Sequence, residues 1–378
     1  MRKIVFLWIA LIMVSLHAFA DEKVSFTASA PDAVAVGDQF RLSYTVTTQK
    51  VRDFRVPSIK GFDVLMGPSR SQQKSVQIIN GETTSTSSIT FTYILMATKE
   101  GSFTLPGATI TADGNQMVSN AVHINVLPAD QANGASSGNS GRQGGAASRA
   151  SSGTSVSNSD LFITATASKT TLYEQEAFLL TYKIYTLVDL RGFDNVKLPD
   201  FKGFHSQEVE LPNDRKWSLE HYKGRNYQTT VYRQFVLFPQ QSGKLTIDAA
   251  RFDASIAKAT QVADPFEAFF NGGNNYVEVK KTLSTPQLTV DVKELPAGIS
   301  GGVGEFSISS SINSTNVKTN DAVTVKLVIS GTGNLKLIST PEVKFPEDFE
   351  VYDPKVDNKF RLTSAGLSGS QVIEYLAI

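Results

Sequence analysis

The hydrophobic pattern of the chain has period two almost throughout. Phe40-Arg41-Leu42-Ser43-Tyr44-Thr45-Val46-Thr47 alternates apolar and polar residues without a slip. Ile89-Thr90-Phe91-Thr92-Tyr93, continuing to Leu95, does the same, as does Val122-His123-Ile124-Asn125-Val126. Further on, Phe178, Leu180, Tyr182 and Ile184 share one face, and so do Val323, Val325, Leu327 and Ile329. Successive side chains of a strand point to opposite faces, so each run predicts a strand with one face on a core and one toward water. Asn80-Gly81, between two such runs, is the dipeptide that a type I′ hairpin turn demands. Strongly periodic helical windows are scarce. The predicted class is all-β, with short strands at the spacing of β-sandwiches.

The pattern also repeats. Gly37-Asp38-Gln39-Phe40-Arg41-Leu42-Ser43-Tyr44 aligns with Gln175-Glu176-Ala177-Phe178-Leu179-Leu180-Thr181-Tyr182, and again with Asn320-Asp321-Ala322-Val323-Thr324-Val325-Lys326-Leu327. Pro57-Ser58-Ile59-Lys60-Gly61-Phe62 aligns with Pro199-Asp200-Phe201-Lys202-Gly203-Phe204. Tyr93-Ile94-Leu95-Met96 with Gly101-Ser102-Phe103-Thr104 matches Phe235-Val236-Leu237-Phe238 with Gly243-Lys244-Leu245-Thr246. Three copies of one sandwich module are the expectation. Tyr375-Leu376-Ala377-Ile378 matches Tyr93 to Met96, so the third copy is expected to lack its last strands, with the natural product continuing further.

Composition adds the punctuation. Residues 129–159 are two-thirds Gly, Ser or Ala, with Val156 the sole large aliphatic. Such a stretch cannot bury enough apolar surface to offset its ordering entropy, and it predicts a flexible linker spanning about 30 Å. The start of the chain is basic (Arg2, Lys3), then apolar from Ile4 to Val14, then Ala18-Phe19-Ala20. This is the pattern of a signal peptide with cleavage set by Ala18 and Ala20. The expected organisation is therefore a signal peptide (1–20), a first module (21–128), the linker (129–159), a second module (160–296) with a loop insertion, and a truncated third module (297–378).

Charge and residue usage restrict the chemistry. The 378 residues hold 36 basic and 36 acidic side chains, no Cys and 4 His. A neutral balance leaves no electrostatic footprint for nucleic acid. Without Cys there is no disulfide scaffold, no thiolate-held metal and no thiol nucleophile. An exported chain without Cys points to a bacterial periplasm or surface. His123, His205 and His221 lack metal-ligand spacing, and no catalytic, cofactor or metal site is predicted. Ser71-Gln72-Gln73-Lys74 matches S-x-x-K but lacks the companion motifs and the helix that this chemistry needs. Glu347, Asp348, Glu350, Asp353 and Asp357 lack a calcium-loop pattern and have Lys355 and Lys359 among them. Gly331-Thr332-Gly333-Asn334 lacks the G-K-[ST] of a phosphate loop and is expected to be a tight turn.

Two segments stand out as partner surfaces. Asp264-Pro265-Phe266-Glu267-Ala268-Phe269-Phe270 interrupts the strand pattern and puts three Phe in a loop ending in glycines; Asp264, Pro265, Phe266, Phe269 and Phe270 are the first candidates. Gly67, Pro68, Ser69 and Ser71 of a second loop are the others. An alternative reading, an adhesin or carbohydrate-binding sandwich, would need an exposed aromatic platform from Trp217, Tyr222 and Tyr227.

Several longer strings carry a family resemblance. They are Gly61-Phe62-Asp63-Val64-Leu65-Met66-Gly67-Pro68-Ser69-Arg70-Ser71; Leu237-Phe238-Pro239-Gln240-Gln241-Ser242-Gly243-Lys244-Leu245-Thr246-Ile247; the segment from Asp264 to Phe270; Ser330-Gly331-Thr332-Gly333-Asn334-Leu335-Lys336-Leu337; and Phe349-Glu350-Val351-Tyr352-Asp353-Pro354-Lys355-Val356. In these the chain resembles the BatD family, the oxygen-tolerance proteins of the Bacteroides aerotolerance operon. The resemblance implies tandem Ig-like β-sandwich modules in an exported, non-catalytic protein without cofactors. It implies inner-membrane association through a C-terminal helix, expected to be absent from this form of the chain and to lie past Ile378. The partners it implies are envelope membrane proteins, among them von Willebrand A-domain proteins of the same operon.

Overall fold

A computed structural model describes residues 24–79, 82–130, 156–259, 276–298 and 301–378. Two compact units result, one built on the first module and one on the second and third. Ala18 and Ala20 of the expected signal peptide, the expected Asn80-Gly81 turn and most of the expected linker lie outside the described residues.

The first module has ten strands: β1 (Phe26–Ser29), β2 (Ala33–Ala35), β3 (Gln39–Val46), β4 (Val51–Arg55), β5 (Phe62–Ile79), β6 (Glu82–Ala97), β7 (Gly101–Leu105), β8 (Thr109–Ala112), β9 (Asn115–Val118) and β10 (Val122–Leu127). They form three sheets, ordered β1-β3-β6-β5, β2-β10-β7 and β4-β8-β9. The alternation explains the arrangement. Phe40, Leu42, Tyr44 and Val46 of β3 and Ile89, Phe91 and Leu95 of β6 turn one face of the first sheet onto Leu105, Ile110, Ile124 and Val126. Each fully buried large aliphatic or aromatic contributes about 1.5–3 kcal/mol by leaving water. This is an Ig-like sandwich.

The second module repeats the plan with β11 (Leu161–Ala167), β12 (Thr171–Tyr173), β13 (Phe178–Thr186), β14 (Asp189–Lys197), β15 (Phe204–Glu208), β16 (Ser218–Tyr222), β17 (Arg225–Pro239), β18 (Gly243–Ile247), β19 (Arg251–Ala259), β20 (Tyr276–Ser284) and β21 (Leu288–Lys293). Its sheets run β11-β13-β17-β15, with β16 also on β17, then β12-β21-β18 and β14-β19-β20. Strand for strand this is the first module, except that the long edge strand β5 is replaced by two short ones, β15 and β16. In both modules a parallel pair, β2 with β10 and β12 with β21, joins the second strand to the last.

The third module is a single sheet among the described residues: β22 (Gly304–Ile312), β23 (Val323–Gly333), β24 (Lys355–Thr363) and β25 (Gly366–Ala377), in the order β22-β23-β25-β24. These correspond to β1, β3, β5 and β6. Ile329, Ile373 and Tyr375 are buried under Ile338, Val343 and Phe345, and the Tyr375 hydroxyl donates to the Pro341 carbonyl. On the same face Ile308 is 64% exposed.

The repeat is conformational as well as compositional. Gly37, Gln175 and Asn320, the aligned first positions, are all left-handed, at φ +89°, +62° and +68°. The acidic residue after each accepts a backbone N–H three residues back: Ala35 to Asp38 at 3.0 Å, Tyr173 to Glu176 at 2.9 Å and Lys318 to Asp321 at 2.8 Å. The same turns carry main-chain bonds from Asp38 N–H to Ala35 O, Glu176 N–H to Tyr173 O and Asp321 N–H to Lys318 O. A short acid at this place thus clamps the turn that feeds each central strand.

The Gly331-Thr332-Gly333 segment is not a tight turn. It is the end of β23, paired with β22 and β25 throughout. The glycines serve close packing: a Cβ on Gly331 would lie 2.8 Å from the Phe306 ring of the neighbouring strand, and one on Gly333 3.1 Å from it.

Candidate interaction surface

The residues with potential chemistry are dispersed and locally engaged. Ser71 and Lys74 both lie on β5, where positions three apart face opposite sides of a sheet. Ser71 sits across from Thr90 and Lys74 across from Ser87, so the S-x-x-K pair does not converge. His123 Nδ1 is 2.9 Å from Thr104 Oγ1, His205 Nε2 is 3.1 Å from Gln207 Nε2, and His221 Nδ1 is 2.7 Å from Asn226 Oδ1. Asp357 pairs with Lys359 at 3.4 Å. Among the described residues no group of three His or carboxylate side chains could hold a metal ion.

The aromatic platform does not assemble. Trp217 is 46% exposed, but Tyr227 is 3% exposed. Tyr227 packs edge-on to Phe162 and Tyr185 at 5.2 and 5.9 Å, and its hydroxyl donates to the Ser159 carbonyl at 2.9 Å. Beside this cluster Glu220 accepts hydrogen bonds from Lys183, Tyr185 and Thr229. Burial pushes the Glu220 carboxyl up, but those hydrogen bonds and the Lys183 charge outweigh it and hold it below its ordinary range. In the cores, burial raises Tyr44 and Tyr182 to about 12, the former helped by Tyr93.

Gly67, Pro68, Ser69 and Ser71 belong to β5, which forms one edge of its sheet. All four are exposed. The pairing with β6 shifts register between Val64 and Met66 and again between Met66 and Ser69, so the edge is bulged at Gly67-Pro68, a cis peptide. Gly67 is at φ +128°, and a Cβ there would lie 2.8 Å from the Thr92 carbonyl oxygen. Only glycine lets the bulged chain lie this close to β6. Beside these four lie residues that the sequence reading did not single out: Val64, Leu65 and Met66, with Met66 64% exposed. The usable signal was three consecutive apolar residues before Gly-Pro, which break the alternation.

The two edges of this sheet are treated differently. At the β1 edge, Asn120 fills the place of a missing strand: its side chain accepts the Ala28 N–H at 2.8 Å and donates to the Ala28 carbonyl at 3.0 Å. At the β5 edge no such cover reaches Ser69–Lys74 among the described residues.

The other candidates, Asp264, Pro265, Phe266, Phe269 and Phe270, lie outside the described residues. Their setting is described. They fall in the connection between β19 and β20, which pair as far as Ala259 opposite Tyr276. The corresponding first-module hairpin, β8–β9, turns tightly through Asp113 and Gly114, at φ +47° and +86°. Tyr276 and Val277, at the end of the long hairpin, are exposed, and the Arg191 guanidinium lies 5.9 Å from the Tyr276 ring centre. No helix of the described residues is long and apolar enough to cross a membrane.

A family model described as "BatD DUF11 like domain" matches residues 27–126, 165–292 and 310–378, one segment per module. No curated protein matches the chain. Among solved structures, the C-terminal domain of the Streptococcus pyogenes antigen I/II-family protein AspA aligns at 8% identity over 71% of this chain and 99% of that one. Its TM-score is 0.18, too loose a likeness to carry an argument.

Proposed function

Because the chain belongs to the BatD family, we propose that it is a non-catalytic interaction protein of an envelope complex serving oxygen or stress tolerance. In this reading it is exported to the periplasm and works at the inner membrane. Its partners are envelope membrane proteins, with von Willebrand A-type domains foremost. One observation carries the reading: two clusters of exposed large apolar residues lie on edge strands. Val64, Leu65 and Met66 lie on the edge strand β5, and Tyr276 and Val277 on the edge strand β20. Exposed apolar clusters on rigid edges are the features by which sandwiches recruit other chains, by surface contact or strand addition.

The test is photo-crosslinking in the native envelope. A photoreactive amino acid at Met66 or Tyr276 is expected to capture an integral membrane protein, and one at the exposed Lys244 on β18 to capture none. Adducts confined to lipid or to soluble proteins, or equal capture from Lys244, would overturn the proposal.

A further inference from the structure

The open side of the first module, between β4 and β5, is a built cleft. It is lined by Val51, Arg52, Asp53, Phe54, Arg70 and Phe91. Its floor is a stacked aromatic pair: the Phe54 and Phe91 rings are 4.0 Å apart and 7° from parallel. Phe91 lies directly opposite Arg70, so the guanidinium stem stands over the core-facing side of β5, in line with Gln72 and Lys74 two and four residues on. Across the cleft stands Arg52. None of Arg52, Arg70 and Lys74 is in an ion pair among the described residues, and Asp53 is the one acid of the lining. Both walls are strand edges, since β4 and β5 each end their sheets.

The second module treats the same side differently. There the connection between β15 and β16 brings Arg215 over the Tyr232 ring at 5.5 Å, while Arg233 approaches the ring at 5.7 Å and pairs with Glu208 at 3.4 Å. The second module covers its own aromatic residue and neutralises its own cation. The first module, where β5 is one long strand rather than two short ones, leaves the cations and the strand edge open beside the aromatic pair.

We propose that the β4–β5 cleft of the first module binds an extended acidic segment of a partner polypeptide, which pairs with the free edge of β5 and sets its carboxylates against Arg52, Arg70 and Lys74. The free backbone of Ser69–Lys74 supplies affinity, and alternate side chains supply selectivity: carboxylates toward the cations, apolar groups toward Phe54. This inference rests on the interaction reading above but not on the membrane setting.

The probe is a fluorescein-labelled peptide of alternating valine and glutamate, about ten residues long, titrated into the full chain at low salt. Saturable binding is expected, weakened roughly tenfold by Arg52→Glu with Arg70→Glu. It is expected to be unchanged by Lys197→Glu with Arg251→Glu, which reverse two exposed cations of the second module. Methylating alternate peptide amides keeps the charge and should abolish binding. No saturable binding, equal loss in the second-module variant, or full binding of the methylated peptide would overturn the proposal. The last outcome would mark the cleft as a general polyanion site. Matching thermal melts of the variants exclude misfolding as the cause. Peptide binding without a membrane-protein adduct at either Met66 or Tyr276 would sink the functional reading and leave this one standing; an adduct without peptide binding would do the reverse.

Discussion

The side-chain amide of Asn334 donates to the Gln175 side-chain oxygen at 3.4 Å, linking the third module to the second through a residue held at φ +62°. The aligned residue of the first module is Gly37, which adopts this backbone without a Cβ penalty. Gln175 bears about 1 kcal/mol of that penalty, and its oxygen also receives the Gln240 amide at 3.4 Å. Nearby, a Cβ on Gly366 would sit 2.9 Å from that of Ala177, and Leu362 packs on the buried Ala177, Val236 and Phe238. Gln175→Gly is expected to relieve the second module while loosening its hold on the third. Gly366→Val should decouple the two at a cost of about 1–3 kcal/mol. Calorimetry of the full chain checks this: one shared transition should divide into two, and an unchanged single transition would refute it.

The turn clamps should be interchangeable in kind. Asp38→Ala, Glu176→Ala and Asp321→Ala each remove an acceptor from one backbone N–H, and each is expected to cost about 1 kcal/mol in its own module. Asp38→Asn should retain most of the stability, because an amide oxygen accepts the same bond. Denaturant titration of the full chain, read with module-specific hydrogen exchange, measures both.

Gly67→Ala should destabilise the β5–β6 pairing by about 1–3 kcal/mol, since the new Cβ meets the Thr92 carbonyl and the Tyr93 backbone. Faster amide exchange is expected in β5 and β6, with β11–β21 unaffected. Exchange unchanged in β6 would show that the bulge relaxes freely.

How far the sequence carried depended on whether periodicity survives folding. The strands β3, β6, β10, β13 and β23 lie where the alternation placed them, because each keeps one face on a core, even where β13 shifts register after Tyr182 and β5 is bulged against β6. Val51–Arg55 and Asp189–Lys197 were not legible: bulges between Arg52 and Arg55 and between Leu190 and Gly192 break their alternation, and their faces are largely exposed. The exposure of Val64–Met66 follows from β5 being an edge, a property of the sheet and not of the segment. The end of β23 looked like a turn because its glycines imply one unless Phe306 on the neighbouring strand is known to fill their place.

The lowered Glu220 carboxyl fixes the sign of one pH effect. Its stabilisation is fully present above its ordinary value of 4.5 and is lost as pH falls through the lower folded value. Glu220→Gln should therefore weaken the second module at neutral pH, modestly because the group is partly solvated, and the difference should vanish in acid. Paired melts across that range decide it; a difference that grows toward low pH would contradict the assignment.

Tyr44 and Tyr182, at aligned positions in the first two cores, should resist alkaline titration. With folded values of about 12 against an ordinary 10.0, the stability they lend as neutral phenols is complete below pH 10 and is lost as pH rises toward 12. Phenolate absorbance followed with circular dichroism should show two tyrosines ionising only as β structure is lost. Early, fully reversible ionisation of every tyrosine would count against the buried hydroxyls.

The parallel pairing of β2 with β10 sets Val34 beside Val126, and that of β12 with β21 sets Leu172 beside Val292. Each joins residues on the order of a hundred positions apart, a separation typical of slow, high-contact-order topologies. Neither sandwich closes until its last strand has been delivered, so the rate at which a module becomes complete is governed by its final strand. A stalled or clipped chain would hold a preformed sheet with its hydrophobic face waiting, which is the state most exposed to aggregation and proteolysis.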